Sequence, residues 1–494
     1  MLRAAPCLAL LLVTSCRPPP RLADVFLITI DTLRADRLGC YGNHAWDEPV
    51  SPNIDAFARE AVRFTRMFAP RGLTLPSLTS LHTGVYPITH GVRENDQPWP
   101  RRDTLASLLA QHGYTTACFL SYLPGPTARS IAQEFQQHTV TGLGRMRPPS
   151  VMQARNDEAA LQLTLDHVQK LARASSRPPA FVWLHLYDVH KPYTPALPGE
   201  QRFDRDYRGA IQRDAPGDRL DPGDYAGPFT DRAAIEQQQL SAEDHRHVLA
   251  LYDAGVHDAD ARVGRLLDTL RQSGLLEDAL TIIAADHGDE LGDHQHYYYH
   301  GASVYDSVMR TALLIRPPSG TTAQRCDALA TNVDVLPTVL DWLALPAPHG
   351  GEGSSLAAAL RGQPCPGHDM VFGEWQDLIG IVRTRDWKYI FNPRGVHPTK
   401  PPYSEHPGTS FRVACEELYD LNADALETSN LAGGEPAIAS RLREAWSQFR
   451  DRPGHATSMS TEFEDNPELK ALGYVQGKRA DVILDAENCG KQQR

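Results

Sequence analysis

The 494-residue chain carries 61 acidic and 49 basic residues, a formal net charge of -12, with 41% hydrophobic and 22% charged residues. This composition is globular and too apolar for a disordered chain, and the length allows one large α/β domain with an appendage or two to three ordinary domains. No Lys/Arg cluster reads as a phosphate-backbone footprint, so the reading contains no nucleic-acid partner.

Arg3 precedes an apolar run over 7–13 and the small residues Thr14-Ser15-Cys16, the order of a secretory signal. The run is too short to span a bilayer, which takes about 20 residues. Val13-Thr14-Ser15-Cys16 resembles a bacterial lipobox. It predicts a signal peptide over 1–15, lipidation of Cys16 as the membrane contact, and a location in the cell envelope, periplasmic or at the outer surface. Residues 16–23, with Arg17-Pro18-Pro19-Pro20-Arg21, would be a stiff spacer. The remaining cysteines, Cys40, Cys118, Cys326, Cys365, Cys415 and Cys489, show no C-x-x-C spacing. That argues against a zinc–thiolate site and leaves any disulfide pairing open.

Val25-Phe26-Leu27-Ile28-Thr29-Ile30 is the continuous apolar run of a buried parallel strand. Ser51-Pro52 opens a helix whose apolar face is read as Ile54, Phe57, Ala58, Ala61 and Phe64. Asp103 is read as the cap of a second helix ending at Gly113, and strand 115–120 follows. A helix through Leu161, Leu165, Val168 and Leu171 leads to strand 181–184. Residues 200–232, rich in Asp, Arg, Gly and Pro, read as a surface insertion. Ser241-x-x-Asp244 resembles a capping box and opens a long helix closed near Gly274. Strands 280–285 and 312–315 come next. Strands alternating with helices predict an α/β fold with a mostly parallel central sheet and helices on both faces, over 24–360. Short strands at 371–374, 379–382 and 387–390 and a helix over 438–449 predict a small C-terminal α+β subdomain over 361–452, followed by a polar tail over 453–494.

In open parallel sheets ligands bind beyond the carboxyl ends of the strands. Three apolar strands here end in ligand-type residues: Asp31; Asp188 with His190; and Asp286-His287-Gly288. One strand-terminal Asp is commonly a cap or turn residue, but three such ends together suit a divalent cation such as Mn²⁺, Zn²⁺ or Mg²⁺. Pro76 fits the first turn of a helix and places Thr74 at its N-terminus. There Thr74 either caps the helix or presents a hydroxyl that free N–H groups and a metal ion could activate.

Ile28-Thr29-Ile30-Asp31-Thr32-Leu33-Arg34-Ala35-Asp36 with Cys40-Tyr41-Gly42 resembles the first metal motif of the sulfatase family, within the alkaline phosphatase superfamily. Thr74-x-Pro76-Ser77 ending in His82-Thr83-Gly84 is similar to its nucleophile helix. His90-Gly91-Val92-Arg93-x-Asn95, Leu184-His185-Leu186-Tyr187-Asp188-Val189-His190-Lys191-Pro192-Tyr193, Ala285-Asp286-His287-Gly288, Trp387-Lys388-Tyr389 and Glu417-Leu418-Tyr419-Asp420-Leu421 follow in the family's order. The resemblance covers residues 24–475. It implies that Asp31, Thr74, Asp286 and His287 hold one divalent metal ion (Mn²⁺, Zn²⁺, Mg²⁺ or Ca²⁺). It further implies that Thr74 is the nucleophile, that His190 and His300 touch substrate oxygens or the leaving group, and that Asn95 binds a substrate oxygen. His294 and His296 are read as lid or surface residues.

Formylglycine sulfatases carry C-x-P-x-R or S-x-P-x-R, whereas this chain has Thr74 and Leu78 at the first and last positions, and Thr32 where the first metal motif has a second Asp. Threonine cannot become formylglycine by that route. The resemblance therefore implies a metal-dependent hydrolase of sulfate- or phosphate-type esters, with phosphodiester or phosphonate favoured over sulfate. The substrate would be an anionic ester that could be linked to a glycan or lipid. The alternatives are a phosphoglycerol- or phosphoethanolamine-type transferase, a sulfuric ester hydrolase, and, from another class, a catalytically silent surface-binding lipoprotein.

Overall fold

The computed structural model describes residues 22–455 apart from 96, 98, 100–101, 124–127, 143–148, 192, 194, 196–201, 209–240, 296–299, 302, 322, 366, 376–378 and 394–413. The signal and lipobox, most of the insertion read over 200–232, His296 and the tail beyond 455 lie outside the described residues. Among the described residues no helix is long and apolar enough to cross a membrane.

The strands β1 (Asp24–Ile30), β2 (Val62–Phe68), β3 (Thr115–Leu120), β4 (Gln137–Val140), β5 (Ala180–Leu186), β6 (Ala279–Ala285), β7 (Arg310–Arg316) and β8 (Gln324–Thr331) form one sheet in the order β4-β3-β5-β1-β6-β7-β2-β8. Only β7 runs against its neighbours β6 and β2. β1, β5 and β6 are buried along their whole length, as the continuous apolar runs require for central strands covered on both faces. The covering helices are α1 (Pro52–Ala58), α2 (Thr74–Thr83), α3 (Leu105–Gln111), α4 (Pro149–Arg173), α5 (Ala242–Gln272), the short α6 (Asp306–Met309) and α7 (Val335–Trp342). Side chains alternate across β1. Phe26, Ile28 and Ile30 join the core under α1, α4 and α5, while Val25 and Leu27 join the one under α2, α3 and α7.

Two sequence expectations are corrected at this level. The helix opened by Pro52 ends at Ala58. Ala61 and Phe64 do not extend its face, because Val62-Arg63-Phe64-Thr65-Arg66-Met67-Phe68 forms β2, paired with β7 and β8. The apolar residues of that run happen to continue the helical spacing of α1, which hid the strand. The cap of α3 is Thr104, not Asp103; its side chain accepts from Ser107 N–H in a capping box. The box at Ser241 and Asp244 opens α5 as read. β4 and β8, short or polar, gave no apolar run to detect.

A second sheet, β9 (Met370–Trp375), β10 (Ile379–Thr384), β11 (Trp387–Phe391) and β12 (Glu416–Asp420), is antiparallel in the order β12-β11-β10-β9, and α8 (Pro436–Arg450) covers it. Leu442, Trp446 and Phe449 of α8 pack with Val382, Tyr389 and Leu418 of this sheet and with Tyr86 and Ile88 of the larger unit. The indole of Trp446 lies directly on Gly380, where a Cβ would come within 2.0 Å of the ring. Gly380→Val should therefore push α8 off the sheet and cost about 2–3 kcal/mol, read as a lower denaturant midpoint. An unchanged midpoint would show that α8 does not depend on this contact.

Candidate active site

Register builds the site. Ile30 at the end of β1 stands level with Leu186 of β5 and Ala285 of β6, so the next residues of all three strands emerge at one height. Asp31, Asp286 and His287 are fully buried there, and a ligand atom from each lies within 4.8 Å of the others. Among the described residues, both Asp31 oxygens and Asp286 Oδ2 have no hydrogen-bond partner. Burial first, and then the facing Asp286 carboxylate, push the Asp31 carboxyl well above the usual range, while His287 and the Thr74 hydroxyl pull it down. Unsatisfied carboxylate oxygens aimed at one point, with an imidazole beside them, fit a divalent cation, and among the described residues no Lys or Arg pairs with them.

The surrounding chain fixes these groups. His287 Nδ1 faces its neighbour Gly288's carbonyl at 2.9 Å, which leaves Nε2 turned toward the carboxylates, 3.5 Å from Asp286 Oδ2 and 3.9 Å from Asp31 Oδ1. Asp286 Oδ1 accepts from the N–H groups of Thr32 (3.1 Å) and His287 (2.8 Å). Thr32 reaches that oxygen by taking φ +55°, a costly conformation for a β-branched residue. Tyr252 of α5 holds it there by donating to the Thr32 carbonyl at 2.6 Å. Thr32, at the position of the motif's second Asp, thus serves the site through its backbone. Ser77 and Asn332 both donate to the Asp286 carbonyl, at 2.7 and 2.9 Å, and tie α2 to the end of β6.

α2 begins at Thr74, as the sequence reading expects, and all of its residues are buried. Thr74 Oγ1 lies 3.4 Å from His287 Nε2. Asn95 Oδ1 accepts from Leu75 N–H at 3.0 Å, satisfying a free amide of the helix N-terminus, and Asn95 Nδ2 has no partner among the described residues. Leu78 points the other way, into the core with Phe64 and Trp183. His300 comes to the same place: its ring centroid is 4.6 Å from that of His287 and 5.0 Å from that of His190. Burial first, then the neighbouring cationic groups, hold both His190 and His300 well below the usual imidazole range. Asp188 does not join the cluster; it turns away to Arg262 at 2.8 Å. His294 stacks on Tyr305 and accepts no place in the site.

Two residues of the site carried no separate signal. His185 sits beside Asp31, with Nε2 3.5 Å from Oδ2 and Nδ1 2.8 Å from Thr29 Oγ1. Burial lowers its imidazole to about 4, so it is neutral. Asp289 faces His300 Nδ1 at 3.2 Å and accepts from Tyr193 OH at 2.7 Å. The continuous apolar run of β5 could have flagged His185 as the polar residue within it. Asp289 lies beyond the strand, where no pattern applies.

The carboxylate conflict gives a test. Mn²⁺ or Zn²⁺ at 100 times its Kd should stabilise the protein by about 2.7 kcal/mol. Asp31→Asn should lose most of that shift, yet melt at or above the wild type when metal-free, because a buried like charge is gone. An Asp31→Asn protein that melts lower metal-free and keeps the full shift would place the cation elsewhere.

The family model named Sulfatase matches residues 23–345. The multifunctional alkaline phosphatase superfamily protein PehA of Trinickia caryophylli is 24% identical, over 90% of this chain and 98% of its own. A phosphonate monoester hydrolase of Agrobacterium radiobacter superposes with a TM-score of 0.65 at 21% identity, covering 87% of this chain and 95% of its own. A 2-O GAG sulfatase superposes with a TM-score of 0.67 at 20% identity, covering 95% and 100%. These two likenesses establish the shared fold, and the family match spans the whole of the larger sheet and the candidate metal centre. The chain belongs to the sulfatase family of the alkaline phosphatase superfamily, as a metal-binding hydrolase of anionic esters.

Proposed function

We propose that the protein hydrolyses a phosphorus ester, a phosphodiester or a phosphonate monoester, with Thr74 as the nucleophile. The observation that carries this is Thr74 itself: a hydroxyl at the start of a buried helix, 3.4 Å from His287 Nε2, within the carboxylate–imidazole cluster. Asp31, Asp286, His287 and the Thr74 oxygen would hold the divalent cation. When bound, that cation supplies the positive charge that favours the Thr74 alkoxide and offsets charge on the substrate oxygens.

The chain's own residues do the rest. The N-terminus of α2 favours negative charge on Thr74 Oγ1. Asn95 Nδ2, already oriented by Leu75 N–H, donates to a substrate oxygen. Thr74 Oγ1, its proton released to solvent, bonds to phosphorus as the bond to the leaving oxygen breaks. His300, neutral in the free protein, gains a proton when the anionic substrate arrives and passes it to that oxygen, with Asp289 steadying the ring from Nδ1. His190, edge-on to His300, contacts a substrate oxygen. Water then attacks phosphorus, giving a proton to the now neutral His300, as the P–O bond to Thr74 breaks and Thr74 Oγ1 takes that proton back.

Phosphorus is favoured for a chemical reason. A formylglycine hydrate has a second hydroxyl through which it can expel sulfate. A threonine ester has none, so its release requires attack at the central atom, a familiar step for phosphorus and a poor one for a sulfate ester. Leu78, buried in the core, also removes the motif's arginine charge. A sulfated sugar is the second reading, supported by the fold shared with a 2-O GAG sulfatase. The same proposal keeps lipidation at Cys16 and a place in the cell envelope.

Aryl phosphodiester, phosphonate monoester, phosphate monoester and sulfate should be assayed with Mn²⁺, Zn²⁺, Mg²⁺ and Ca²⁺. The first two should be turned over best, and Thr74→Ala should lose roughly 10³-fold or more in kcat while still binding metal. Aryl sulfate as the dominant substrate would refute the phosphorus preference, and an active Thr74→Ala would refute the mechanism. Cys16→Ala should release the protein from membranes; unchanged membrane attachment would refute the anchor.

A further inference from the structure

Lys388 of β11 is fully buried and belongs to no strand end of the larger sheet. A buried ammonium must be paired. Its Nζ lies 2.8 Å from Asp306 Oδ1 and 2.6 Å from Glu427 Oε1. Arg383 Nε of β10 approaches Asp306 Oδ2 at 3.3 Å, and Asp306 N–H donates to Glu427 Oε2 at 2.6 Å. Glu427 takes φ +56°, a conformation that persists in such a residue only when its surroundings hold it. The seam continues through Tyr305, whose hydroxyl donates to Glu417 Oε2 at 3.0 Å. It continues also through Val304 and Met309, packed on Ile379, Ile381 and Ile390. The smaller sheet thus clamps the start of α6.

The other side of the same segment faces the site. Ser303 N–H donates to the His300 carbonyl at 2.9 Å, and the Ser303 hydroxyl donates to Glu290. Arg71 donates to the Gly301 carbonyl at 3.0 Å, and Gly288, next to His287, donates to the Val308 carbonyl at 2.7 Å. Residues 300, 301 and 303–308 therefore lie between the loop that carries Asp286 and His287 and the ionic cluster around Lys388.

We propose that Lys388 is a positioning residue: by bridging Asp306 and Glu427 it fixes the segment 303–308, and with it the His300 imidazole, against the site. This rests on the reading of His300 as the proton donor to the leaving oxygen. Without the ammonium, two carboxylates share a dry seam opposed by Arg383 and, at Asp306, by Arg310, and the segment gains freedom.

The test compares phenyl and 4-nitrophenyl esters of phenylphosphonate, which differ in their need for a proton. In Lys388→Met, kcat for the phenyl ester should fall about tenfold, while kcat for the 4-nitrophenyl ester and both KM values stay within about twofold. Amide exchange at 303–308 should quicken, and metal content should stay that of the wild type. Lys388→Met paired with Glu427→Gln keeps the seam neutral and guards against simple unfolding; it should show the same split and the same faster exchange. Equal losses on both esters in the folded pair, or wild-type exchange at 303–308, would overturn the assignment. Should His300→Ala itself show no split between the esters, the reading of His300 as the acid fails, and exchange at 303–308 still decides whether Lys388 clamps the segment.

Discussion

Asp31 and Asp286 leave neighbouring parallel strands at one level and face each other out of water. Two ionised carboxylates within 4.8 Å repel by at least about 3 kcal/mol at an effective dielectric constant of 20. That exceeds the net worth of an ordinary hydrogen bond, about 1 kcal/mol, and three of the four oxygens have no hydrogen bond among the described residues. Only a cation or a proton resolves such an arrangement. The rest of the site is built around that conflict: an imidazole turned inward, a hydroxyl at a helix N-terminus, and a backbone bent at Thr32 to serve one carboxylate oxygen.

The conflict is maintained by anchoring its members from several directions. β1 and β6 supply the carboxylates, α2 is tied to the end of β6 through Ser77 and Asn332, and α5 holds Thr32 through Tyr252. His300 arrives on a different segment, held between the metal loop and the smaller sheet. The C-terminal strands therefore belong to the chemistry through geometry, although none of them carries a residue of the cluster.

The departures from the formylglycine pattern are coherent in space. Leu78 packs among Phe64 and Trp183, an apolar setting into which an arginine guanidinium could not be placed without a partner. Thr74 keeps the hydroxyl at the helix start and supplies no second one. Thr32 contributes an N–H where the motif has a carboxylate. Leu78 and Thr32 each remove one charge, of opposite sign, and Thr74 keeps the position neutral, while Asp31, Asp286 and His287 stay in place at the strand ends.

The sequence by itself determined the central strands, the long helix with its Ser241 cap, the start of α2 at Thr74, and the strand-end residues Asp31, Asp286 and His287. These are local facts: continuous apolar runs, a capping pair, a proline in a first turn, and polar residues where a run stops. Tertiary structure decided the rest. Phe64 reads as part of a helical face until β7 and β8 pair with its strand. Asp188 reads like Asp31, yet turns to Arg262. His185 and Asp289 become partners of Asp31 and His300 only when distant segments meet, and Lys388 bears on His300 across the seam between two sheets. Spacing along a chain records which side chains share a face of one element. It holds no record of which faces meet, because that is set by strand order, register and the pairing of buried charges.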